Sequence, residues 1–293
     1  MMQRKILLDC DPGHDDAVAM MLAWGNPSIE LLGVTTVGGN QTLDKVTRNA
    51  LSVATVVGMH DVPIAAGCRL PLVRPVEIAP DVHGDSGLDG VELPEPAVEL
   101  DPRHGVDLII ETIMSNEPGT VTLVPTGPLT NIARLLTAHP ECSELVDQII
   151  LMGGCFGFGD LVDTNFAVDP EAAQVVFGSA IPLTVVPLDT TRTTHMSQER
   201  WERILKACAD KDLAEALRQW INPWLAFSQQ TRPVDGMWVH DLVTLFALTN
   251  PELATTEDAH CAVNEAGKLM RRSDGRLLSV VTAVDNEGLL GAL

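Results

Sequence analysis

Residues 5–27 read KILLDCDPGHDDAVAMMLAWGNP, an apolar run that becomes a helical one through the eight residues DCDPGHDD, Asp9–Asp16. Strand, turn and helix follow within one stretch, which is how an α/β unit begins. The turn crowds Asp9, Asp11, Asp15 and Asp16 together, and like charges held that close repel one another. Pro12 and Gly13 set a sharp bend that converges the side chains instead of splaying them. One or two carboxylates suffice to cap a helix and complement its dipole. This turn has more than that, and clustered carboxylates await a cation.

The pattern repeats along the chain. A helix is expected from about Asp15 to Trp24, then a strand in IELLGVTTV (Ile29–Val37) and a helix near Thr42–Val57. TVTLVPTG (Thr120–Gly127), DQIILMGG (Asp147–Gly154) and PLTVVPLD (Pro182–Asp189) read as further strands, with helices in PLTNIARLLTAH and DPEAAQVVFGS. Strands apolar along their whole length, alternating with helices, predict an α/β fold with an open, mostly parallel, Rossmann-like sheet covered on both faces. Leu70–Arg103, rich in Pro, Gly and acidic residues, reads as a long surface loop, and Ser197–Leu225 as helical. The weak strands after Ala254 read as a small C-terminal β addition. A single domain, 1–293, is expected.

Net charge is −21, from 19 basic and 40 acidic residues, and no basic patch stands out, so nucleic acid is not an expected partner. No apolar run approaches the ~18 residues of a membrane span, so no membrane partner is expected either. The six cysteines (Cys10, Cys68, Cys142, Cys155, Cys208, Cys261) lack metal-ligand spacing, and no leader-like run precedes them. Reduced thiols in a cytoplasmic protein are expected.

Open parallel sheets bind ligands beyond the carboxyl ends of their strands. The polar and glycine-rich residues fall there: DCDPGHDD, GGN (Gly38–Asn40), PTGPLTN (Pro125–Asn131), MGG (Met152–Gly154) and Asp189. Two chemistries compete for the first turn. A haloacid-dehalogenase-type phosphohydrolase needs Asp-x-Asp-x-Thr or Val, but Gly13 stands at the last of those positions, and no convincing downstream lysine and Gly-Asp motif follow. A hard-cation site shared by Asp11 and Asp16 needs further oxygens from the rim. A non-catalytic calcium- or ribose-binding protein is a third reading.

DCDPGHDDA, TTVGGN, HGDSGL, LVPTGPLTNIA, LMGG, NFAVDPEAA and VHD occur in the order found in the inosine–uridine-type nucleoside hydrolases, and the chain resembles that family from Leu8 to about Asp241. The resemblance implies a calcium-dependent ribonucleoside hydrolase of the nucleoside hydrolase fold, active in nucleoside salvage and assembled as a homo-oligomer, a dimer or tetramer. It implies that Asp11, Asp16, Asp241 and the backbone carbonyl of Thr126 hold Ca2+, which also binds the ribose diol and the attacking water. Cleavage of a ribose–base bond passes through an oxocarbenium-like state and needs a base for water and an acid for the departing group. Asp11 suits the base.

Asp15 and Asn40 suit the ribose diol, and Asn165 the 5′-hydroxyl side. His240, before a proposed ligand, is the candidate acid, and His83 could reach over the nucleobase. His14 is expected to point away from the ion. Met152 is placed beside the substrate. Of the aromatics near the right segments (Phe156, Phe166, Trp224, Phe227, Trp238), Phe166 and Trp238 are the expected stacking partners. Family members usually carry Glu-Phe-Asn where this chain has Asp163-Thr164-Asn165, so the carboxylate on the 5′ side is one methylene shorter.

Overall fold

The computed structural model describes residues 3–90, 92–208, 210–231 and 235–292. The opening strand, Arg4–Cys10 (β1), lies inside a nine-stranded sheet. On one side stand Ile29–Thr36 (β2) and Ile64–Ala66 (β3), and on the other Val121–Pro125 (β4), Val146–Met152 (β5) and Leu183–Val186 (β6). All of these pair in parallel. A separate ribbon joins His195–Met196 (β7) to Met237–Trp238 (β8). Beyond β6 the large sheet ends in Ala254–Val263 (β9), Leu269–Arg271 (β10) and Arg276–Val284 (β11). β11 runs parallel to β6, whereas β9 is antiparallel to both β11 and β10. This is the expected C-terminal addition.

Helices His14–Gly25 (α1) and Leu43–Val57 (α2) precede the short Pro80–His83 (α3), then Gly105–Met114 (α4) and Thr130–Ala138 (α5). Thr164–Val168 (α6), Pro170–Phe177 (α7) and Leu188–Thr191 (α8) follow. Gln198–Ala207 (α9), Lys211–Thr231 (α10), His240–Thr249 (α11) and Asn286–Ala292 (α12) complete the set. Successive β1 side chains point to opposite faces. Leu7 packs with α4, α5 and α7, while Ile6 and Leu8 pack with α1, α2 and α11. That two-sided cover explains why the strands are apolar throughout. No described helix is long and apolar enough to cross a membrane.

Three segments differ in detail from the sequence reading. The strand at Pro182–Asp189 stops at Val186, because Pro187 caps α8 immediately afterwards. The helical segment at Ser197–Leu225 divides into α9 and α10, whose Trp201, Leu205, Ile221 and Trp224 form an apolar cluster with Phe246 of α11. Leu70–Arg103 is more than a surface loop: it carries α3 and buries His83 and Leu88.

The chain moves outward from β1 through β2 to β3, then crosses to place β4 on the other side of β1. Such a reversal opens a crevice beyond the strand ends. The N–H of Thr126 donates to the carbonyl of Asp9 at 2.8 Å, so β1 and β4 stay paired up to its edge.

Candidate active site

Packing at the first turn requires glycine at two positions. A Cβ on Gly13 would lie 2.5 Å from Nδ1 of His83, and one on Gly39 would lie 2.2 Å from Oδ2 of Asp11. This close backbone approach lets the turn sink, so Asp11, Asp15 and Asp16 are all buried. Asp9 lies deeper and belongs to the scaffold. Its Oδ1 accepts the Thr35 hydroxyl at 2.6 Å and Nδ2 of Asn131 at 2.7 Å, tying β1 to β2 and α5. Burial pushes its carboxyl up to about 7.

Asp16 lies in the first turn of α1. Its Oδ2 accepts the N–H of Gly13 and Nδ2 of Asn40, each at 3.2 Å, and its Oδ1 accepts the Thr126 hydroxyl at 3.0 Å. Burial and the neighbouring charge of Asp15 nevertheless push it up to about 7. Asp241 arrives from the start of α11, and burial, then Asp15 and Asp16, hold it well above the carboxylate range. One oxygen from each of Asp15, Asp16 and Asp241 comes within 4.8 Å of the others.

The expected ion-binding set has Asp11 where the structure converges Asp15. Asp11 is drawn into the cradle of Gly39 and Gly127 and does not line the cavity. Its Oδ2 accepts the N–H of Asn40 at 2.7 Å, while its Oδ1 is buried with no hydrogen-bond partner. Burial, then the charge of Asp16, raises its pKa well above the usual value. Asn40 commits its amide nitrogen to the Asp11 carbonyl (3.1 Å) and to Asp16, leaving Oδ1 as what it can offer a ligand.

These carboxylates open onto a cavity of about 310 Å³, at the lower end of the usual size for a small-ligand site. Thr126, Met152, Asp163, Asn165, His83, Trp238 and His240 line it with Asp15, Asp16, Asn40 and Asp241. Nδ2 of Asn165 donates to the carbonyls of Thr126 (2.6 Å) and Met152 (3.1 Å), which fixes the amide and leaves its Oδ1 as an acceptor. Asp163 caps α6 and accepts N–H groups of Gly154, Phe166 and Asn165. Burial pushes it up to about 6 despite those donors.

His240 opens α11 with Nδ1 2.7 Å from the Thr191 hydroxyl, and its ring lies 6.0 Å from that of Trp238. His83 faces the cavity from α3, with its Nδ1 3.3 Å from Nδ1 of His14. His14 stacks on Trp224 at 5.1 Å and turns out of the carboxylate cluster, as expected.

Phe166 requires correction. It is fully buried, packs edge-on against Phe177 at 5.7 Å and faces the core instead of the cavity. The cause is the helix N-terminus at Asp163, which turns Asn165 toward the rim and its neighbour inward. Phe156 is partly buried against that core, Trp224 lines the cavity, and the side chain of Phe227 lies outside the described residues. Asp189 accepts the N–H groups of Phe156 (2.8 Å) and Gly157 (2.6 Å), anchoring the loop above the rim.

Arg192 and Leu188 are wall residues that the sequence reading does not single out, and Trp224 is one it names without choosing it as a stacking partner. Arg192 follows directly on the strand-end segment PLDTT, so its position beyond a carboxyl end was the available signal. A larger cavity of about 450 Å³ lies between α1 and α9–α11, but its apolar wall offers no carboxylate.

Comparison with known proteins agrees with this architecture. The sequence model of the "inosine-uridine preferring nucleoside hydrolase" family matches residues 6–290. The inosine-uridine preferring nucleoside hydrolase of Crithidia fasciculata is 43% identical over 272 residues, 92% of this chain and 86% of that protein. The pyrimidine-specific ribonucleoside hydrolase RihA of Photobacterium profundum is 41% identical over 270 residues, 91% and 86% of the two chains. Among solved structures, the purine-preferring ribonucleoside hydrolase from Gardnerella vaginalis superposes with a TM-score of 0.89 at 28% identity, covering 99% of this chain and 96% of its own.

Proposed function

The chain belongs to the inosine-uridine preferring nucleoside hydrolase family, and from that premise we propose how its own residues perform the reaction. It hydrolyses the N-glycosidic bond of ribonucleosides to ribose and free base. The phosphohydrolase and the non-catalytic binding protein are not favoured. The observation that carries the residue assignments is the buried convergence of Asp15, Asp16 and Asp241 at the sheet reversal.

The donor set fits a hard divalent cation such as Ca2+. It is all oxygen and buried, the pKa values of Asp16 and Asp241 are raised by burial and mutual repulsion, and Asp11 Oδ1 lacks a partner. Asp15, Asp16 and Asp241, with Asp11 and the Thr126 carbonyl, are the residues that would hold it. Bound there, it would neutralise the carboxylates, grip the sugar diol and make water a better acid.

The protein supplies the rest. Asp11, whose Oδ1 is buried without a hydrogen-bond partner beside those carboxylates, takes the proton of the attacking water. The carboxylate cluster faces the positive charge that develops at C1′. Asp15 accepts from the 2′-hydroxyl, Asn40 offers an acceptor to the diol, and Asn165 offers its Oδ1 to the 5′ side. Asp163 supports that side through the turn it caps. His240, oriented by Thr191, gives a proton to the departing base, and His83 and Trp238 border that base. Met152 packs beside the sugar.

One domain spanning 1–293 is part of the reading, supported by a sheet whose strands run from residue 4 to residue 284. A cytoplasmic setting is supported by six free thiols. A homo-oligomer is part of the same reading, on the resemblance to the family.

Incubation with inosine or uridine is expected to release ribose and free base in equal amounts. Phosphate release from phosphorylated substrates without ribose would contradict the reading. His240→Ala is expected to lose about 10²–10⁴-fold on these nucleosides, the range for a lost general acid. On p-nitrophenyl riboside, whose leaving group needs no proton, most activity should survive. Equal losses on both substrates would assign His240 to positioning and pass the acid role to His83.

A further inference from the structure

Arg192, immediately after α8, lines the same cavity, yet its guanidinium has no hydrogen bond among the described residues, and its Nε is buried without a partner. Aromatic rings hold it instead, and its charge lies near enough to Asp163 to act on that carboxyl. Its Cζ lies 4.8 Å from the Phe158 ring centroid and 5.3 Å from that of Trp238. Stacking on rings fixes the guanidinium plane while its N–H groups remain available along their edges. A buried donor left unsatisfied destabilises the fold, so such an arrangement is maintained where a ligand supplies the acceptor. Trp238 also borders His240, which places Arg192 at the end of the cavity that receives the base.

We propose that Arg192 is the residue that determines base specificity, reading an oxo group on the nucleobase through its guanidinium fork. This rests on the ribonucleoside hydrolase reading; a preference for oxo bases is already in the family's description, and what is new is the residue that reads them. An arginine fork matches two adjacent acceptors, such as O6 and N7 of hypoxanthine, and in uracil O4 offers an acceptor. Adenine and cytosine place an amino donor where the oxo group stood, so donor would face donor. A nucleoside 5′-phosphate is a poorer match, because Asp163 and the Asp15–Asp16–Asp241 cluster share the cavity and repel it.

The same contact assists the reaction. As the C1′–N bond breaks, its electron pair stays on the base, and a new C1′–O bond forms to water. One water proton goes to Asp11, and His240 supplies one to the base. Until that proton arrives, an oxo-base spreads its negative charge onto the oxygen facing Arg192, where a fixed cation stabilises it.

The test compares wild type, Arg192→Met and Arg192→Lys on inosine against adenosine and on uridine against cytidine. Alongside, calorimetry measures binding of free hypoxanthine and free adenine. Wild type is expected to favour the oxo member of each pair. Arg192→Met, which keeps an apolar side chain between the rings, should lower that preference by about 10–100-fold, the worth of one bidentate contact. Arg192→Lys should keep part of it, since charge remains and the fork is lost. Hypoxanthine binding should weaken more than adenine binding.

Equal losses on all four nucleosides, or an unchanged inosine-to-adenosine ratio, would overturn the proposal and leave Arg192 as a prop for Phe158 and Trp238. The binding arm needs no turnover. If no nucleoside were cleaved, the hydrolase reading would fail, and unaltered hypoxanthine binding by Arg192→Met would independently overturn the role of Arg192.

Discussion

Asp11→Asn is expected to lower kcat on every ribonucleoside by about 10³-fold or more, with the fold retained. The two side chains have the same shape, so the cradle of Gly39 and Gly127 accommodates either. The amide oxygen still accepts the N–H of Asn40, now at 2.7 Å from the carboxylate. What disappears is the second oxygen, Oδ1, which is buried without a partner and is the atom assigned to take the proton from water. An amide cannot take that proton, and its NH2 group is a poor neighbour for a cation. KM should change less than kcat, because proton transfer from water belongs to the chemical step, whereas Asp15, Asp16 and Asp241 still line the cavity that binds the substrate. A folded variant with near-wild-type kcat would place the base elsewhere, and Asp15, which does line the cavity, would be the next candidate.

The second large effect concerns the sugar. 2′-Deoxyinosine and 2′-deoxyuridine are expected to react with kcat/KM about 10³-fold below inosine and uridine. A site built to bind a hydroxyl rejects the analogue that lacks it by ~10⁴–10⁵-fold, because its buried polar groups are left unpaired. Asp15 is such a group, buried and held beside Asp16 and Asp241. A water molecule filling the gap would restore part of the loss, hence the smaller figure. Near-equal values for ribo- and deoxyribonucleosides would mean that the carboxylates do not hold the diol.

Much of this architecture could be read from the chain because its signals are local. A strand apolar at every position, followed within a few residues by Pro12-Gly13 and a helix, has few foldings open to it. The turn residues therefore announce both the sheet and its functional edge. The division of labour among the carboxylates was less legible. Whether Asp11 or Asp15 faces the cavity depends on Gly39 and Gly127, which approach from the loops after β2 and β4 and leave no mark in the first turn. Phe166 failed for a related reason: adjacent helical residues point in different directions, and only the packed Phe177 shows which way this ring turns.

Arg192 was harder still. Its role comes from Phe158 and Trp238, distant from it in sequence and from each other. Leu70–Arg103 looked like solvent-facing loop because its composition is polar, yet a few residues, His83 among them, suffice to dock it over the site.

The most direct test of the account is to measure the ribose-releasing activity on inosine together with the bound metal, before and after exhaustive chelation and again after calcium is restored. The convergence of buried Asp15, Asp16 and Asp241 predicts bound calcium in the purified protein, a lower melting temperature once it is stripped, activity that vanishes with it, and recovery of both on its return. Full turnover by protein shown to contain no metal would contradict the account at its centre.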